Sequence, residues 1–176
     1  MIRDKFSKYI NGSSILISGL LLTVFSFVLT GCLDDNIDET TLQRQETLEK
    51  QVGIDTLLIK QHLVDNSITD VKKTAGIIWY TEQIVGTGIQ PKDGNQVRVN
   101  YELSLLDGTA VEKGPYSFII GAPGVIQGFD LAVRTMKVGG KSRFYIPSIY
   151  GYQDTGSGSI KPNTVLIFDI ELLEAL

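Results

Sequence analysis

Residues 96–106 (QVRVNYELSLL) alternate with a period of two. Val97, Val99, Tyr101, Leu103 and Leu105 share one face, and Arg98, Asn100, Glu102 and Ser104 share the other. A half-buried strand has this period. Asp107-Gly108 follows as a hairpin turn, and Pro115–Gly121 (PYSFIIG) reads as the returning strand. Before the hairpin, GIIWYTEQIV from Gly76 is β-branched and aromatic, and Pro91-Lys92-Asp93-Gly94 is a turn signal. After it, residues 126–136 (IQGFDLAVRTM) place Phe129, Ala132, Val133 and Met136 on one helical stripe, and Gly139-Gly140 ends that helix. Lys141–Ile146 and Val165–Leu173 complete the set as strands. The expected fold is α+β, a mainly antiparallel sheet of about five strands wrapped on one short helix. An N-terminal helical segment precedes it.

Upstream, the pattern predicts different behaviour. Ile54, Leu57, Leu58, Val64 and Ile68 recur near one face at helical spacing, with Gly53 disfavouring an extension towards the N-terminus and Asn66 ending the run. This helix is expected to dock on the core domain or on a second copy of the chain. Residues 33–52 are polar and rich in helix formers, which fits a tether or a frayed helix. Residues 9–31 carry no charge and follow Arg3, Lys5 and Lys8. A basic start and an apolar middle make a secretory leader. The chain therefore divides into a leader (1–31), an acidic tether (32–52), a helical segment (53–75) and a core domain (76–176).

Composition sharpens these boundaries. The four aromatics of Phe6–Phe27 lie in the leader, eleven lie in Trp79–Phe168, and residues 28–78 hold none. Residues 32–70 carry nine acidic and three basic side chains, while 71–176 balance. A formal net charge of −4 with no basic stripe argues against a nucleic-acid partner. With one Cys and one His, the chain offers neither a disulfide framework nor a Cys-based zinc site, so no metal or cofactor is expected. His62, in KQHLV, has no visible partner and reads as a surface residue of the helix.

Two resemblances follow from particular residues. Leu29-Thr30-Gly31-Cys32 resembles the lipobox of bacterial lipoproteins, which implies cleavage before Cys32 and acylation of its thiol. Acyl chains bury about 0.8 kcal/mol per CH₂ and would anchor the chain to the membrane. Leu33 then favours the outer membrane, on its periplasmic or surface face. The second resemblance covers roughly 76–176. VRVNYELSLLDGT, PYSFIIG, GVIQGFDLAV, MKVGGKSRFYIP, YGY and PNTVLIFDIELL occur in the order found in FKBP-type peptidyl-prolyl isomerases. The segment at 54–73 also resembles extracytoplasmic lipoprotein members of that family.

The family resemblance implies an aromatic pocket. Tyr101, Tyr116, Phe129 and Phe168 would form its walls and floor. Val125 and Ile126 would stand at the entry to the helix, with the Ile126 N–H meeting a substrate carbonyl. The loop hydroxyl would come from Tyr150, which directly precedes a Gly, with Tyr152 as the second choice. Ile160 would close the rim. Val111-Glu112 replaces the usual Phe-Asp pair, and Phe129 replaces the usual Trp. The implied activity is peptidyl-prolyl cis-trans isomerisation on proline-containing polypeptides, assisting folding of exported proteins. It moves no proton, so scarcity of His is no obstacle. Val111, Glu112 and the short segment 112–115 leave a rival reading, a catalytically weak binding module or holdase. A third reading makes the domain a surface interaction scaffold. The oligomeric state is not legible.

Overall fold

The computed structural model describes residues 38–74 and 78–176. The leader, Cys32 and the first residues of the tether lie outside this range. Helix α1 (Glu39–Asp65) is followed by β1 (Lys72–Thr74), β2 (Ile78–Ile84), β3 (Gln96–Leu105) and β4 (Ala110–Ile119). Then come α2 (Gln127–Thr135), β5 (Lys141–Ile146), a 3-10 turn (Ser148–Tyr150) and β6 (Leu166–Ala175). The strands form one sheet in the order β1-β2-β5-β6-β3-β4, with every neighbouring pair antiparallel. The described residues thus hold six strands. The extra one is the edge strand β1, whose Lys-Lys-Thr is too short and polar to show an alternating pattern.

Period-two alternation gives the sheet two apolar faces. Along β5, Phe144 and Ile146 join the main core with Leu166 and Phe168 of β6. Between them, Tyr145 and Ile167 point the other way. Helix α2 covers the first face with Phe129, Ala132 and Val133. Its start at Gln127 and end at Thr135 follow the stripe in the sequence. Helix α1 covers the second face, burying Ile59 and Leu63 against Tyr145, Val165 and Ile167.

Helix α1 departs from expectation in two ways. It passes through Gly53 without a break and is capped by Asp38, whose carboxylate accepts from the Thr40 N–H at 3.4 Å. A Cβ at Gly53 would meet nothing within 4 Å, so the glycine reflects no packing demand. Its propensity cost of about 0.5–1 kcal/mol is too small to interrupt a helix whose later turns are packed. The buried face also differs. It is Asp55, Ile59 and Leu63 that are buried, while Ile54, Leu57, Leu58 and Val64 are exposed. The apolar spacing in the sequence selected the wrong stripe because the docked stripe includes a carboxylate. Asn66 does end the helix, its N–H donating to the His62 carbonyl at 3.1 Å.

Candidate active site

The β3–β4 hairpin supplies the first wall of a cavity of about 450 Å³ on the α2 face. Antiparallel register sets Leu103 opposite Glu112, Tyr101 opposite Gly114 and Val99 opposite Tyr116. Opposed residues share a face, so Tyr101, Glu112 and Tyr116 all turn inwards. No side chain of β4 stands at Gly114, between Glu112 and Tyr116, and the space over Tyr101 stays open. The Tyr101 hydroxyl donates to Glu112 Oε1 at 2.7 Å. The longer acid side chain therefore still reaches the phenol.

The floor is aromatic. Phe129 of α2, 4% exposed, packs its ring 5.0 Å from Phe168 of β6 and 5.6 Å from Tyr101, the latter edge-on at 74°. Tyr101 also meets Tyr116 edge-on at 6.4 Å. Such tilted pairs are preferred aromatic geometries. On the far side, Gly124, Val125 and Ile126 line the cavity at the entrance to α2. Ile126 is the cap residue, extended at φ −63° and ψ 145°. Its carbonyl accepts from Phe129 and Asp130, whereas its N–H takes no part in the hydrogen bonds of the described residues. Gly124 has φ of +132°, a backbone shape that other residues rarely adopt.

Two phenols keep their protons well above neutral pH. Burial, reinforced by the Glu112 acceptor, pushes Tyr101 up to about 12. Burial and then the Glu112 charge raise Tyr152 as well. Both remain hydrogen-bond donors under ordinary conditions. The site thus offers apolar floor area, the Tyr152 O–H as a donor and a backbone N–H at a helix entrance. It can grip a small apolar ring and hold flanking carbonyls.

The structure brings together Tyr101, Glu112, Tyr116, Val125, Ile126, Phe129, Tyr152 and Phe168. Three other expected residues do not line the cavity. Tyr150 closes the 3-10 turn and packs against the main core, its carbonyl 2.9 Å from where a Cβ on Gly128 would lie. From this loop it is Tyr152 that lines the wall. The cavity lining thus holds the second choice for the loop hydroxyl, Tyr152, and not the Tyr that precedes the Gly. Ile160 is 5% exposed and belongs to the core, its backbone paired with Ser157. Val111 packs against the same core. Conversely, sequence reasoning passed over Gly124 and the gap at Gly114. The GAPG run at 121–124 was a signal for the first.

Comparisons with known proteins bear on the fold. The family model for FKBP-type peptidyl-prolyl cis-trans isomerases matches residues 87–173. A peptidyl-prolyl cis-trans isomerase from Pseudomonas syringae pv. tomato superposes with a TM-score of 0.62 at 31% identity, covering 72% of this chain and 94% of that one. FkpA from Escherichia coli gives a TM-score of 0.61 at 31% identity, covering 82% of this chain and 74% of that one. In sequence, the FKBP-type isomerase FkpA of Aeromonas hydrophila is 41% identical over 108 residues, 58% of this chain and 40% of its own. FK506-binding protein 4 of Dictyostelium discoideum is 43% identical over 98 residues, 53% of this chain and 27% of its own. The chain thus spans less than half the length of these two sequence relatives.

Proposed function

We propose that this chain, which belongs to the FKBP-type peptidyl-prolyl cis-trans isomerase family, catalyses rotation about Xaa-Pro bonds of polypeptides in the cell envelope. The observation that carries the reading is the aromatic cavity with the neutral Tyr152 hydroxyl and an Ile126 N–H that takes no part in hydrogen bonds among the described residues. Amide resonance opposes rotation with a barrier of roughly 18–20 kcal/mol. A twisted amide has a smaller C–N dipole than a planar one. An apolar cavity therefore disfavours the planar ground state relative to the transition state. A rate gain of about 10⁴ needs only about 5.5 kcal/mol of such differential stabilisation.

In this reading the proline ring sits on Phe129 and Phe168, against Tyr101. The Ile126 N–H and the Tyr152 hydroxyl hold carbonyls flanking the rotating bond. Tyr101 donates to Glu112, which fixes the phenol ring as a wall. No covalent bond is made and no proton changes hands.

The leader pattern and Leu29-Thr30-Gly31-Cys32 support export and acylation at Cys32, with the outer membrane as the destination and exported proteins as clients. The polar residues 33–52 would then act as a spacer between the lipid and the domain.

A coupled assay with Xaa-Pro peptides on the full chain tests the activity. Turnover well above the uncatalysed rate supports it. Binding of proline peptides without turnover would instead establish the binding-module alternative.

A further inference from the structure

Helix α1 lies on the sheet face opposite the cavity, yet one of its side chains reaches the loop that bears Tyr152. Asp55 is fully buried. Its Oδ2 accepts both the backbone N–H and the hydroxyl of Ser148, each at 2.7 Å, across 93 residues of sequence. Oδ1 accepts from Gln51 Nε2 at 2.8 Å. Buried polar groups are costly unless paired, and here every member of the cluster has a partner. Ser148 is itself fully buried and opens the 3-10 turn directly after β5 and Pro147. Its carbonyl accepts from the N–H of Gly151 at 2.9 Å and from that of Gln153 at 2.9 Å. Those two residues flank Tyr152. A continuous run of hydrogen bonds therefore leads from α1, around the end of β5, to both sides of the tyrosine at the cavity wall.

We propose that Asp55 is a positioning residue for the site, holding Ser148 so that the loop presents the Tyr152 hydroxyl to the bound chain. The claim rests on the isomerase reading above. Asp55 does not line the cavity; it acts through Ser148. Helix α1 is thereby more than a spacer, because seating it on the sheet completes the geometry of the loop.

The test is a double-mutant cycle on the full chain with two readouts, kcat/KM for an Xaa-Pro peptide and the amide chemical shifts of Gly151 and Gln153. Asp55→Ala should lower kcat/KM about two- to twelvefold, the range of one lost hydrogen bond, and should move both amide resonances. Asp55→Asn should recover most of the loss, since its amide oxygen still accepts from Ser148. In a Tyr152→Phe background the Asp55→Ala loss should shrink to below about twofold, because the hydroxyl it positions is gone. An equal loss in both backgrounds, or unmoved amides in Asp55→Ala, overturns the proposal. Should Asp55→Ala fail to fold, Ser148→Ala removes one of the two donors and is read the same way. A wild-type chain with no isomerase activity refutes the isomerase reading instead, and the amide shifts then decide whether Asp55 holds the loop.

Discussion

Removing the ring of Phe129 separates the packing role of the cavity floor from the hydroxyl role of its wall. The ring is 4% exposed and has aromatic neighbours Phe168, Phe118 and Tyr101 at 5.0, 5.5 and 5.6 Å between centroids. Truncating a buried Phe to Ala costs roughly 3–5 kcal/mol. The void here opens into a cavity of about 450 Å³ that water can enter, so the lower half of that range applies. At a few degrees per kcal/mol for a domain of this size, the melting temperature should fall by about 10–15 °C. Calorimetry reads this directly. At a temperature where the variant is still folded, kcat/KM should also fall, because the proline ring loses its floor. Tyr152→Phe is the contrasting change. It removes one hydroxyl, should leave the melting temperature nearly unaltered, and should lower kcat/KM about two- to twelvefold, matching a net hydrogen bond of about 0.5–1.5 kcal/mol. A Phe129→Ala variant with an unaltered melting temperature would refute its place in the core. One that unfolds early but turns over normally when folded would separate the aromatic floor from the site.

Other consequences are equally direct. Glu112→Ala should bring the Tyr101 titration down from about 12 but leave it above the ordinary phenol value, since burial is the larger cause; ultraviolet titration of the phenolate reads the change. In the wild type, the unfolded chain loses this proton near pH 10 and the folded chain near 12, so stability should decline as pH rises through that window and be insensitive to this group below it. Gly53→Ala adds a Cβ with nothing within 4 Å and should raise stability by about 0.5–1 kcal/mol in denaturant titration. A loss would mean that the helix is broken there. Cys32→Ser should abolish incorporation of labelled palmitate, and retained label would refute acylation at that thiol.

The core domain was legible in the sequence because its information is local. Alternation through Val97, Val99, Tyr101, Leu103 and Leu105 needs no partner to be read, and neither does the turn at Asp107-Gly108 or the stripe of α2. Those patterns, with the family resemblance, brought eight of the expected residues to one cavity. Where contacts depended on distant chain, the reading failed. Tyr150 and Tyr152 are two residues apart and chemically identical, and only the folded loop puts Tyr152 rather than Tyr150 in the cavity lining. Edge strand β1 exists through its register with β2, not through its own three residues.

Helix α1 shows the division most sharply. Its sequence specifies a helical stretch with strong helix formers and an Asn66 end, and the fold carries it back through Gly53 to the Asp38 cap. It carries two candidate faces, and hydrophobicity favours the one with Ile54, Leu57 and Leu58. Tertiary structure selects the other, because Asp55 finds the Ser148 N–H and hydroxyl there while Ile59 and Leu63 meet Tyr145 and Ile167. A periodicity count treats a carboxylate as a vote for solvent. Whether its hydrogen bonds can be satisfied inside depends on a donor 93 residues away, and that is a property of the folded chain alone.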